Sequence, residues 1–399
     1  MIRAVAAQMT GAMLCAAVSF ALMLYLARAL GVASFGAFLA TLSFAVVALP
    51  VIECGWSQQL YRSSVDDARN GAKSGIRMHF ALGHALAVTV TLVVAAWLGW
   101  RLGVIDSPAL PCALACMGLV ALGNFVSARM RGEGRFALES AWQVCGRIGS
   151  AVAVVATIAV LGPDVALVFV AWCMGLLLVA AIGAIPWLTW PRWDGLASTY
   201  RIALPLAAVE VTCAMLFKGD VALVSATGMD GTALSHYAAC ARVGELVLLM
   251  AAPLCNVGFR RLRELHSERD AFARELRRLS LAVSAAGAIV ALVTIPLGSP
   301  LMSLLFGVQF ESAGHLLPWV AAALPLALPN LMLVQALVAR GSERGLALAL
   351  AGSVALGAVL LVALAWRYGA RGAALACCAA QATALLAMTR ALRCAPRCA

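Results

Sequence analysis

Apolar positions in this chain run continuously, without the alternation of a half-buried strand. They gather into twelve stretches, at 4–27, 35–54, 79–100, 110–128, 141–161, 165–187, 203–225, 235–258, 279–298, 315–338, 345–366 and 372–391. At a rise of about 1.5 Å per residue, roughly 20 residues cross a hydrocarbon core of about 30 Å. The pattern predicts an all-α polytopic membrane protein with about twelve transmembrane helices. Continuous runs exclude a β-barrel, whose strands would alternate over about 10 residues. The first stretch reads as a retained span, because Arg28-Ala29-Leu30-Gly31 follows it and no small-residue cleavage site does.

The stretches divide into two sets of six. A polar segment with Trp190, Pro191, Trp193 and Tyr200 separates them, suited to an interfacial linker over 190–202. This predicts an N-terminal lobe over 1–189 and a C-terminal lobe over 203–399. A weak repeat supports the division. Phe35-Gly36-Ala37-Phe38 opens the second stretch, and Arg62 follows Phe38 by 24 residues; Leu234-Ser235-His236-Tyr237 opens the eighth, and Arg261 follows Tyr237 by 24. Two parallel lobes related by an axis along the membrane normal would produce such a match. Residues 259–278 place Leu262, Leu265, Phe272 and Leu276 at helical spacing among charges, predicting an amphipathic helix on the cytoplasmic surface.

Composition sharpens the class. Hydrophobic residues make up 63% of the chain and charged residues 12%, far from the roughly 45–50% and 25% of soluble domains. The net charge of +11 would suggest nucleic acid in a soluble protein. Here its distribution gives another reason. With a cytoplasmic N-terminus, 22 of the 29 Lys and Arg residues fall on the cytoplasmic side. Only Arg28, Arg101, Arg367 and Arg371 fall outside. This is the positive-inside pattern of a multi-pass protein with both termini in the cytoplasm. Basic residues are nearly all Arg and Ala is abundant, as in the proteins of GC-rich bacterial genomes. The 13 cysteines show no zinc spacing and read as small apolar residues.

The remaining cations, Arg147, Lys218 and Arg242, fall inside predicted spans, where charge is costly and usually functional. The seventh stretch also carries Glu210 and Asp220, and the eighth carries Glu245. Counting rises places Lys218 and Arg242 at similar depth. Arg242 and Glu245 share a helix face, while Asp220 is free to reach a neighbouring helix. These groups are either internal ion pairs between two helices or the lining of a water-filled cavity for an anionic substrate or a coupling cation. Arg147 sits low in the fifth stretch, where it could snorkel to the interface. His79 and His84, five residues apart, do not share a helix face and read as interfacial or hydrogen-bonded side chains. Arg131 to Phe136 reads as a tight turn. No catalytic constellation and no phosphate-binding Walker loop is present, so no enzyme is expected.

Several elements in order carry a resemblance. Leu26-Ala27-Arg28-Ala29-Leu30-Gly31 with Ser34-Phe35-Gly36-Ala37-Phe38 opens the series, followed by Glu53-Cys54-Gly55-Trp56 and the Arg131–Phe136 turn. Leu305-Phe306-Gly307-Val308-Gln309-Phe310, Ala339-Arg340-Gly341 and Tyr368-Gly369-Ala370-Arg371-Gly372-Ala373-Ala374 complete it. Together they resemble the Wzx-type lipid-linked oligosaccharide flippases of the multidrug/oligosaccharidyl-lipid/polysaccharide exporter superfamily. Glu53 stands where that family often has Asp, and Lys218-Gly219-Asp220 where Arg-x-Asp is usual.

The resemblance implies a bacterial inner-membrane transporter with two six-helix lobes around a central cavity. It would translocate an undecaprenyl-diphosphate-linked oligosaccharide by alternating access, for surface polysaccharides such as O-antigen or exopolysaccharide. On that reading Arg242 and Lys218, with Arg147 and Arg28, hold the diphosphate. Glu210, Asp220, Glu245 and Glu53 then pair with these cations or carry a coupling proton or sodium ion. No other cofactor is implied. The expected partners are the lipid-linked substrate, membrane lipids and a polysaccharide polymerase, with no nucleic acid; the expected state is a monomer. A drug or metabolite antiporter of the same superfamily, with an acidic, Met- and Phe-rich cavity, is one rival. A non-transporting scaffold subunit of a synthase complex is another. An enzyme of lipid-linked sugars would need a large outer loop or an acidic metal site, and the longest outer loop, near 299–314, is short.

Overall fold

A computed structural model describes residues 2–70, 76–105, 107–191, 196–265 and 268–394. Lys73, Arg192, Trp193, Arg397 and Cys398 lie outside the described residues, as do the side chains of Arg62 and Arg261 in the repeat. The protein is an all-α polytopic membrane protein. Among the described residues, eight helical stretches are long and apolar enough to cross a membrane. Two of them hold two predicted spans each.

The first is α1, Ile2–Glu53, which breaks at Gly31 (φ 74°, ψ 171°). The last is α13, Glu343–Cys394, which breaks at Gly369 (φ 60°, ψ −143°). Both conformations belong to a region that only glycine enters freely. The two breaks fall in the Arg28–Gly31 and Tyr368–Arg371 elements, so those motifs turn the chain from one span into the next.

Between these ends run α2 (Trp56–Asn70), α3 (Ile76–Arg101), α4 (Ala109–Gly132), α5 (Phe136–Leu161) and α6 (Val165–Gly183). Then come α7 (Leu196–Lys218), α8 (Asp220–Ser225), α9 (Gly231–Glu264) and α10 (Arg269–Phe306). A 3-10 segment, Val308–His315, leads into α11 (Leu317–Ala321) and α12 (Leu324–Ala339). The seventh predicted span is thus α7 and α8, broken at Gly219. The tenth is α11 and α12, where Pro318 and Pro325 each open a new helix.

Three segments differ from the sequence reading. Residues 259–278 do not form one surface helix. The first part continues α9 to Glu264, residues 266–267 lie outside the described residues, and α10 begins at Arg269 with Asp270 in its first turn, where an acid suits the helix N-terminus. The 190–202 linker is helical from Leu196 onward, with 192–195 outside the described residues. Residues 56–70, which the apolar runs left unassigned, form α2.

The chain divides into two compact units, Met1–Glu210 and Val211–Ala399, with the boundary inside α7. In the first, Phe38 of α1 stacks on Phe169 of α6 at 5.2 Å, and Phe169 on Trp172 at 6.4 Å. Helices α5 and α6 cross at Gly149 and Gly175. A Cβ on Gly175 would lie 2.6 Å from the Gly149 oxygen, so this approach needs the missing side chains. In the second unit, Phe306 and Phe310 pack together at 5.6 Å, and α10 lies against α12.

Candidate functional site

Each unit carries its own set of polar groups inside the apolar bundle. In the second unit, Gly219 interrupts the helix between Lys218 and Asp220, and a Cβ there would lie 2.6 Å from the Met215 oxygen. Lys218 ends α7, exposed, and forms no ion pair among the described residues. Asp220 opens α8. The Tyr237 hydroxyl of α9 donates to its Oδ2 at 2.8 Å, and Cys377 Sγ of α13 lies 3.2 Å from the same hydroxyl. Asp220 therefore does reach a neighbouring helix, and its partner there is a phenol, not a cation.

Arg242 Nη1 donates to Glu245 Oε2 at 2.7 Å, with side-chain exposures of 12% and 21%. The shared face read from the i,i+3 spacing is thus occupied by an ion pair within α9. Counted from the turn joining α8 and α9, Lys218 lies about 11 Å and Arg242 about 16 Å into the bundle. A buried amide pair completes this unit. Asn330 Nδ2 donates to Gln381 Oε1 at 2.8 Å, and Gln381 Nε2 donates to the Leu216 carbonyl at 3.2 Å, joining α12, α13 and α7. Sequence reasoning passed over both amides, although an Asn and a Gln inside apolar runs were visible.

In the first unit, Glu53 ends α1 and is 9% exposed. Asn124 Nδ2 of α4 donates to its Oε1 at 2.5 Å, and Ser57 Oγ of α2 donates to Oε2 at 2.8 Å. The carboxylate clamps three helices together. Glu210, the last residue of this unit, accepts the backbone N–H of Gly55. His84 is hydrogen-bonded at both nitrogens. Its Nε2 lies 3.1 Å from the Val51 carbonyl, which can only accept, so the Tyr200 hydroxyl donates to Nδ1 at 2.5 Å. His79 meets the Trp190 carbonyl.

Arg147 lies well inside α5. Helix α5 begins at Phe136, five residues before the predicted span, so Arg147 stands about 16 Å from its start and near its middle. It lines a small cavity of about 10 Å³ with Ser19, Leu22 and Trp172, room for a single water-sized occupant. No acid lies within ion-pair distance of it among the described residues. Arg28, exposed, precedes the Gly31 break in α1. It is in the same unit as Arg147, while Lys218 and Arg242 belong to the other.

No known protein-family profile matches the chain, and no curated protein matches it. Solved structures do. The chain is similar to the lipid II flippase MurJ in an inward-closed conformation, with a TM-score of 0.76 at 13% identity, covering 98% of this chain and 88% of that one. It is similar to a multidrug resistance MATE family transporter of the MOP superfamily in its inward-facing conformation, with a TM-score of 0.74 at 14% identity, covering 96% of each. It also matches a MOP superfamily transporter from Pyrococcus furiosus, described by the reverse polarity of its binding pocket, with a TM-score of 0.63 at 13% identity over 97% and 94%. These structural neighbours are transporters, and the fold they share is the fold of this chain.

Proposed function

We propose that the protein is a flippase that carries an undecaprenyl-diphosphate-linked oligosaccharide across the bacterial inner membrane for surface polysaccharide synthesis. Lys218 carries this reading most directly. A lysine exposed at the end of α7, deep in an apolar bundle and without an acid partner among the described residues, requires water around it. Arg242 stands about one helical turn deeper by the same count, held by Glu245. A water-filled space with two cations suits an anionic head, and the polyprenyl chain can remain in lipid. The guanidinium of Arg242 forks two phosphate oxygens, and Lys218 adds a point charge.

Glu245 holds Arg242 in place when the site is empty and yields it to phosphate when the site is filled. Asp220 in the second unit, and Glu210 and Glu53 in the first, are each carboxylates that could carry a coupling proton or sodium ion. The protein works as a monomer by alternating access, with both termini in the cytoplasm, and delivers its product to a polymerase.

Reconstitution tests this. Proteoliposomes loaded with a fluorescent polyprenyl-diphosphate oligosaccharide should show dithionite-accessible label appearing with the wild type and not with Arg242→Ala or Lys218→Ala. Equal rates in all three would overturn the assignment. The likeness to a multidrug transporter favours a second reading, export of organic cations. Cation-dye efflux that survives Arg242→Ala would support it, whereas the cationic site described above predicts none.

A further inference from the structure

A cleft of about 410 Å³ opens in the second unit, apart from the Lys218–Arg242 region. Ala233 and His236 of α9, Ser312 and His315 of the 3-10 segment, and Tyr368 and Arg371 at the Gly369 break line it. The volume is that of a small-molecule site. The lining holds one permanent cation, two imidazoles, a phenol and a hydroxyl, and no carboxylate.

Three observations point to a ligand. First, Arg371 is among the four arginines on the side of the membrane from which the positive-inside tendency removes them. It forms no ion pair among the described residues, so topology and pairing both leave its charge unexplained. Second, the His236 ring bonds the Gln309 backbone and packs edge-on against Phe310 at 5.8 Å. Its Nε2 is buried with no protein partner. The ring is held in place with one nitrogen unsatisfied. Third, Arg367 lies 5.7 Å from the Tyr368 ring centroid and donates to its hydroxyl at 3.3 Å, which braces the phenol at the rim.

We propose that this cleft binds a hydroxylated phosphate ester head on the outer side of the membrane. Arg371 takes the phosphate oxygens in its fork. His236 Nε2 and Ser312 bond the hydroxyls, and Tyr368 offers an aromatic edge to the apolar face of a sugar or glycerol. Two sources supply such a head at that surface: the glycosyl phosphate of a lipid-linked sugar just carried across, or a phosphatidylglycerol headgroup. The outer placement rests on the orientation in the proposed function; the binding chemistry does not. His236 precedes Arg242 by six residues on α9, a rise of about 9 Å, so the cleft forms a second anion station beyond the first.

Calorimetric titration of the full chain in nonionic detergent tests this, with glucose 1-phosphate and glycerophosphoglycerol as probes. Binding of either probe that weakens about tenfold in Arg371→Gln and persists in Arg371→Lys supports the cleft. The tighter probe identifies the source. The proposal is overturned if neither probe binds, or if Arg371→Gln binds as the wild type does. It is also overturned if Arg242→Gln alone abolishes binding. Melting curves of each variant separate lost contacts from lost folding. A failed flipping assay with Arg371-dependent binding intact would overturn the transport reading and leave the cleft standing.

Discussion

The Tyr237 hydroxyl donates to Asp220 Oδ2 at 2.8 Å and ties the first turn of α8 to α9, directly after the helix breaks at Gly219. Tyr237 is fully buried. This contact holds the polar end of a broken span against its neighbour, and it sets the position of Lys218 two residues earlier.

Tyr237→Phe should therefore destabilise the second unit by about 1–3 kcal/mol, the cost of leaving a buried acceptor without its donor. A thermal melt in detergent reads the loss. Tyr237→Phe with Asp220→Asn should lose less than the two single changes combined, because they act on one contact. Additive losses would show that the hydroxyl and carboxylate act separately.

Glu245→Gln should tighten diphosphate binding, because it frees Arg242 Nη1 from a competing carboxylate at 2.7 Å. The gain should be severalfold, and transport should slow as product release becomes harder. Titration with geranyl diphosphate measures the first effect. Weaker binding would instead mean that Glu245 orients Arg242 for the substrate.

Gly31→Ala and Gly369→Ala should each cost about 1–3 kcal/mol through backbone strain alone. A Cβ at either position meets no atom within 4 Å, so crowding contributes nothing. Thermal melts of the two variants should fall by comparable amounts. An unchanged melt would mean that the break relaxes into ordinary helix.

Asn124→Ala should lower stability by about 1–3 kcal/mol, since Glu53 would stay buried with one of its two donors removed. Glu53→Gln should cost less, because an amide keeps an acceptor for Asn124. A melt in which Glu53→Gln is the more damaging change would show that the charge itself matters.

Arg147→Met should raise the melting temperature, because a cation near mid-helix without an acid nearby is replaced by an apolar chain of similar length. Loss of flipping in the same variant would mark Arg147 as a functional cation. A lower melting temperature would reveal a stabilising partner.

Apolar runs of about 20 residues and the arginine bias were legible because hydrocarbon imposes the same demand on every span. Backbone groups must bond within the helix, whatever the neighbours are. Both breaks were legible only as gaps between apolar runs; that Gly31 and Gly369 make them came from the structure. Helix α2 was not legible, because a helix outside the hydrocarbon needs no continuous apolar run. The start of α5 was missed for a related reason: the helix continues into polar residues that hydropathy alone leaves out.

Pairing was decided only by tertiary structure. Sequence spacing could join Arg242 to Glu245, which are three residues apart on one helix. It could not join Asp220 to Tyr237 and Cys377, Glu53 to Asn124, or His236 to Arg371 across a shared cleft. Those groups come from separate helices, and short-range periodicity carries no information about which helices meet. The chain by itself determined class and span positions, because solvent and backbone set them locally. The folded bundle determined the partners of Asp220 and Glu53, because those depend on contacts between residues up to 157 positions apart.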